Sequence, residues 1–321
     1  MILGVKITKN FSITKINIET FEIIEEVDIP ITYNPTSLYD IKYSNDSETI
    51  CILEIGQTEK YQYILDSNFN LKNSFNLEVD GWKCFISNNY IGTCVENDER
   101  LNLNIYNINT GEKIMNFFNV DTMLVDIKNN DDIILVSKEK INFIIFNLNT
   151  SENFSFKSPN SNLICLFFKF IENDNILFIF ENTVTYDIEA WIYNIQIKTF
   201  NLINNKINKS KTNDSWDGYE ANYNFNLFFN QYLCIEEVEY DDLIYFVFDI
   251  KNNIYYNYEF DAYISAISKD GFIICKDFLF EAHKLNIDGT VSKMDMYDNE
   301  NYKILGEFDR IDIIGEKIIL W

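Results

Sequence analysis

Polar and apolar positions alternate in blocks of a constant order. A short apolar run is followed after a few polar residues by a second one, as in Trp82 to Ser87 then Tyr90 to Val95, Leu124 to Ile127 then Ile133 to Val136, and Tyr263 to Ile267 then Phe272 to Cys275. Near-continuous apolar runs of this length predict strands buried on both faces. A third segment then ends on Asn or Asp and a turn. Ile105-Tyr106-Asn107-Ile108-Asn109-Thr110-Gly111-Glu112 reappears forty positions later as Ile145-Phe146-Asn147-Leu148-Asn149-Thr150-Ser151-Glu152. Looser copies place the same marker at Asn17, Asp66, Asn194, Asp249 and Asn286. An outward Asn or Asp can bond the backbone of its own turn, and Gly, Asn or Asp supplies the positive φ that a tight turn requires, so the marker predicts a hairpin. A more polar segment, such as Lys113 to Val120 or Thr290 to Met296, closes each block.

Four strands recurring about every forty residues, with first strands opening near residues 39, 82, 122, 163, 227, 263 and 308, are the unit of a propeller blade. The expectation is an all-β chain: a seven-bladed β-propeller of four-stranded antiparallel blades occupying residues 1–321 as one domain. Phase predicts its closure. Only the first strands of a blade, Phe308 to Ile314 and Lys317 to Trp321, remain at the carboxyl end, whereas Ile2 to Ile7, Phe11 to Ile18 and Phe21 to Ile29 are surplus at the start. Sharing one blade would remove two exposed sheet edges. With its turn of apolar, Asn or Asp, x, x, Thr-Gly, the chain resembles the β-propeller superfamily, in particular the WD-repeat and PQQ-like branches. It lacks the Gly-His pair of WD repeats, and a Trp-Asp pair does not recur at its hairpin markers.

Composition agrees with strands. There are 27 Phe and 20 Tyr, while Ala occurs only at 190, 221, 262, 266 and 282; aromatic and β-branched residues fit a pleated surface and Ala does not. The net charge of −24 changes the functional picture more, because nucleic acid is held through Lys and Arg that displace counterions. Nucleic acid is therefore disfavoured as a partner, and basic proteins, cations or plain solubility are the readings left, solubility being the commonest. No apolar run reaches membrane-spanning length, and Met1 to Asn10 does not read as a secretory signal, so a soluble cytoplasmic protein without membrane contact is expected.

Catalytic chemistry leaves little trace. No nucleotide, metalloprotease or nucleophile-elbow motif is present, and the six cysteines form no C-x-x-C pair. Cys51, Cys94, Cys234 and Cys275 sit in apolar runs and are read as buried small hydrophobes. His283, the single histidine, lies between Glu281 and Lys284 and reads as a surface or turn residue. Asn213 to Asn224 loosely matches a calcium loop but lacks its closing glutamate. Neither catalytic residues nor a metal or cofactor is expected. Carboxylates from distant blades could still meet in a central channel, which keeps a propeller-type hydrolase or lyase with a carboxylate-bound divalent cation as the alternative.

The resemblance implies that ligands dock on the face carrying the fourth-to-first and second-to-third strand loops. That places Asp80, Trp82, the insertion with Asp214, Trp216, Asp217, Tyr219 and Glu220, and the acidic run Glu237, Glu239, Asp241 and Asp242 on one rim. Acidic loops with exposed aromatics suit a basic protein partner, a basic toxin being one specific case.

Overall fold

A computed structural model describes residues 2–7, 10–16, 23–32, 37–44, 49–55, 60–76, 83–97, 100–120, 124–128, 133–172, 174–209, 222–239, 242–260, 263–267, 270–276, 280–294, 311–314 and 317–320. Every regular element among them is a strand. The chain divides into two compact units, Thr32–Phe170 and Met1–Ile31 with Ile171–Trp321.

In the first unit the chain lays down successive four-stranded antiparallel sheets. One comprises β4 (Leu38–Tyr43), β5 (Thr49–Ile55), β6 (Lys60–Asp66) and β7 (Leu71–Asn76). The next comprises β8 (Lys83–Ile86), β9 (Tyr90–Asn97), β10 (Arg100–Asn107) and β11 (Lys113–Val120). A third comprises β12 (Val125–Lys128), β13 (Ile133–Glu139), β14 (Asn142–Asn147) and β15 (Asn153–Lys157). The boundary between the units falls inside β16 (Leu163–Ile171), which heads the sheet of β17 (Asn175–Asn182), β18 (Asp187–Asn194) and β19 (Thr199–Lys209).

The second unit continues with β20 (Asn222–Phe228), β21 (Tyr232–Glu239), β22 (Asp242–Asp249) and β23 (Ile254–Phe260), then β24 (Tyr263–Ile267), β25 (Phe272–Lys276), β26 (Phe280–Leu285) and β27 (Val291–Met294). Its remaining sheet has five strands, ordered β28 (Ile311–Ile314), β29 (Lys317–Leu320), β1 (Ile2–Ile7), β2 (Asn10–Ile16) and β3 (Ile23–Thr32). The join in that sheet is parallel, with Ile2 opposite Ile318 and Gly4 opposite Leu320, so the sheet shared by the terminal strands departs from the expected four antiparallel strands.

Burial follows the hydrophobic pattern. Second strands are buried on both faces, as at Ile50 to Leu53, Ile134 to Val136, Ile176 to Phe180 and Tyr232 to Ile235, whereas the outer strands β7 and β15 alternate exposed and half-buried positions. Cores form where neighbouring sheets meet: Cys51, Leu53 and Ile64 pack with Ile86, Ile91, Tyr106 and Ile108, and Cys234, Tyr245, Val247 and Tyr256 pack with Ile264, Ile267, Ile273, Cys275 and Leu285. Cys51, Cys234 and Cys275 are thus buried as expected, joined by Cys165, and burial pushes the Cys165 and Cys234 thiols up. The side chain of Cys94 lies outside the described residues.

The hairpin marker is a repeated hydrogen-bond device. Asn107 Oδ1 accepts the backbone N–H groups of Asn109 and Thr110 at 2.9 and 3.1 Å, and Asn147 Oδ1 those of Asn149 and Thr150, both at 2.9 Å. In each turn the marker carbonyl also takes the N–H of the residue four further on, Gly111 or Ser151. That fifth residue has positive φ, 71° at Gly111 and 61° at Ser151. Asn194 repeats the arrangement with Lys198, and Asn182 does so at a second-to-third strand turn with Tyr186. The marker at Asn17 lies outside the described residues.

One expectation is corrected. His283 is buried, 3% exposed, on β26, with the rings of Tyr258 and Phe260 at 5.7 and 5.3 Å. Its strand pairing decides this: His283 sits opposite buried Ile273 and two residues from buried Leu285, on the inward side of the pleat.

Candidate acidic loop face

Antiparallel order puts the start of each first and third strand, and the end of each second and fourth strand, at one end of a sheet. In the β4–β7 sheet this end carries Ser37, Glu54 near the close of β5, and Tyr61 at the opening of β6. Glu54 is half-buried; its Oε1 accepts the Ser37 hydroxyl at 2.9 Å and its Oε2 the Tyr63 hydroxyl at 2.8 Å. Tyr61 lies directly across the strand pair from Glu54, and its ring stacks on Tyr63 with centroids 6.0 Å apart.

The corresponding end of the β20–β23 sheet repeats the chemistry. Tyr223, near the start of β20, pairs across from Glu237 on β21 and donates its hydroxyl to Glu237 Oε1 at 3.3 Å, while its ring stacks on Phe225 at 6.2 Å. At the same end of the β16–β19 sheet, Glu189 Oε1 accepts from the Asn182 amide at 2.9 Å and Oε2 from the Trp191 indole N–H at 2.8 Å. Each carboxylate is thus oriented by a tyrosine hydroxyl or an indole N–H. Such donors hold a charged carboxylate in place without neutralising it.

Of the residues singled out in the sequence, Glu237 is 1% exposed, so it backs this end of the sheet instead of standing on its rim. Glu239 and Asp242 face one another across the end of the β21–β22 pair; nothing is described of their side chains. Asp80, Trp82, Asp214, Trp216, Asp217, Tyr219, Glu220 and Asp241 lie outside the described residues, in connections that lead to or from this end of their sheets. Glu54, Ser37 and Glu189 escaped the sequence reading. The Tyr61-x-Tyr63 pair was the local signal, since residues two apart on a strand share a face. Among the described residues no group of three or more His, Cys, Asp or Glu could hold a metal ion, and no helix is long and apolar enough to cross a membrane.

No family model matches the chain, and no curated protein matches it. Solved structures do, and with the sheets described above they define its class: the chain has the β-propeller fold. A putative 6-phosphogluconolactonase from Bacteroides uniformis is 13% identical, covering 91% of this chain and 94% of its own, with a TM-score of 0.56. U3-55K is 6% identical over 82% of both chains with a TM-score of 0.51, and BamB from Moraxella catarrhalis is 9% identical over 98% of this chain and 89% of its own with a TM-score of 0.50. At such identities the likeness is one of fold alone.

Proposed function

We propose that this chain is a non-enzymatic protein-binding β-propeller that holds a basic protein partner on the face carrying its fourth-to-first and second-to-third strand loops. The observation that carries the reading is the recurrence of oriented carboxylates, Glu54, Glu189 and Glu237, at that end of separate sheets in a chain of net charge −24. A rigid sheet scaffold with acidic connections offers complementary charge to a basic surface, which speeds encounter and sets orientation. A basic toxin neutralised by this chain is one partner that fits. The reading takes residues 1–321 as one cytoplasmic domain of seven blades, closed where the amino- and carboxyl-terminal strands share a sheet. The strand order β28-β29-β1-β2-β3 supports that closure.

The test compares the full chain with a triple variant, Asp214→Lys, Asp217→Lys and Glu220→Lys, each immobilised and exposed to native lysate of the source cell. A basic protein retained by the wild type, released by salt and lost from the variant supports the reading. Retention of the same proteins by both forms, or of none that salt releases, overturns it.

A further inference from the structure

Glu54 differs from the other two oriented carboxylates. Glu189 is 8% and Glu237 1% exposed, whereas Glu54 is half-buried and has beside it a tyrosine, Tyr61, that is 39% exposed. We propose that Glu54 and Tyr61 form the seat for a guanidinium group, an arginine side chain of the basic partner; the inference rests on the protein-binding reading above and names its anchor.

The Ser37 and Tyr63 hydroxyls each take one lone pair, on different oxygens of Glu54, and so fix the plane of the carboxylate. A carboxylate accepts about four hydrogen bonds, so about two sites remain, one on each oxygen. That is the pattern a planar guanidinium meets with two parallel N–H donors, and a compact ammonium cannot. Tyr61 stands directly opposite Glu54 in the β5–β6 register and is stacked on Tyr63 with an interplanar angle of 29°. An arginine bonded to Glu54 therefore has an aromatic face alongside for cation–π contact. The surrounding negative charge favours a cation at this position.

The experiment measures the binding of a fluorescein-labelled tri-arginine peptide to the full chain by anisotropy, with tri-lysine alongside. Glu54→Gln is expected to weaken tri-arginine binding by about fivefold to tenfold, the loss of a charge-assisted pair. Glu112→Gln is the control. It removes the same charge from an exposed residue of the third-to-fourth strand turn, at the opposite end of its own sheet, and is expected to change binding by less than about twofold. Tyr61→Ala should cost about threefold for tri-arginine, and Tyr61→Phe should retain the affinity because the ring face remains. The tyrosine pair decides the matter if Glu54→Gln does not fold. Equal weakening by Glu54→Gln and Glu112→Gln, or no difference between Tyr61→Ala and Tyr61→Phe, overturns the anchor but leaves the acidic-face reading standing. Failure of the wild type to bind either peptide overturns both.

Discussion

At the residue scale the hairpins show how much of the backbone is specified by one position. Asn107 and Asn147 are interchangeable in their hydrogen bonds, yet the residue four places on differs: Gly111 and Ser151 share a positive φ that glycine adopts without a Cβ penalty. Ser151→Gly is expected to leave stability unchanged or raise it by a few tenths of a kcal/mol, the relieved strain being offset by the greater freedom of the unfolded chain. Gly111→Ala should cost about 1–2 kcal/mol, because a Cβ there would also lie 3.0 Å from the Phe75 side chain. Chemical denaturation of the two variants checks the contrast, and equal effects would mean that the turns are not strained alike.

Tyrosine protonation belongs to the same scale. Tyr256 and Tyr232 are both pushed up to about 12, first by burial and then by the Asp249 carboxylate, from an ordinary value of 10.0. The folded state then holds these protons more tightly than the unfolded state. The stability they contribute is fully present below pH 10 and is lost as pH rises from 10 through about 12. Melting temperature should therefore fall over that window, and Tyr256→Phe should flatten the fall. An unchanged slope in the variant would assign alkaline loss to other groups.

At the scale of elements, the sequence placed strands well because burial on both faces of a strand leaves an apolar run that needs no three-dimensional knowledge. First strands begin at Leu38, Lys83, Leu163 and Tyr263 within a residue of their expected openings, whereas Val125, Asn222 and Ile311 open three to five residues from theirs, and β6, β10, β14, β18 and β22 end on their marker residues. Contacts between sheets left no such trace. Asn73 on β7 donates to the carbonyls of Ile108 and Asn109 in the next sheet's turn, and Asn204 on β19 repeats this reach with Asn253. His283 was misread for the same reason, since its charged neighbour Lys284 lies on the other side of the pleat.

Asp126 is the strongest of these links. It is 3% exposed on β12 and accepts the Phe170 N–H at 2.6 Å and the Lys169 ammonium at 2.9 Å from β16. Asp126→Ala strands a backbone donor and a cation, and about 2–4 kcal/mol should be lost. Asp126→Asn keeps an acceptor for Phe170 and should lose about 1 kcal/mol, the Lys169 pair being one-third exposed on the lysine side. Denaturant melts that ranked the two variants equally would show that the acceptor for Phe170 does not carry this link.

At the scale of the whole molecule, what could be read from sequence was the repeat, because a blade is local along the chain. The candidate site was not legible in the same way. Glu54, Ser37 and Tyr63 converge from three segments, and only their register brings them together. The terminal strands are the case where long-range pairing was nonetheless inferable, since surplus strands at one end matched missing ones at the other. The sheet order bears directly on this: β29 lies between β28 and β1, so it is paired on both edges, antiparallel to one and parallel to the other. Deleting residues 317–321 would strip a partner from both neighbours and open two edges at once. The expected result is a melting temperature lowered by at least about 5 °C, together with a new tendency to aggregate. Deleting residues 210–213, between β19 and β20, should have a smaller effect. Equal losses from the two deletions would show that the terminal strands do not close the fold.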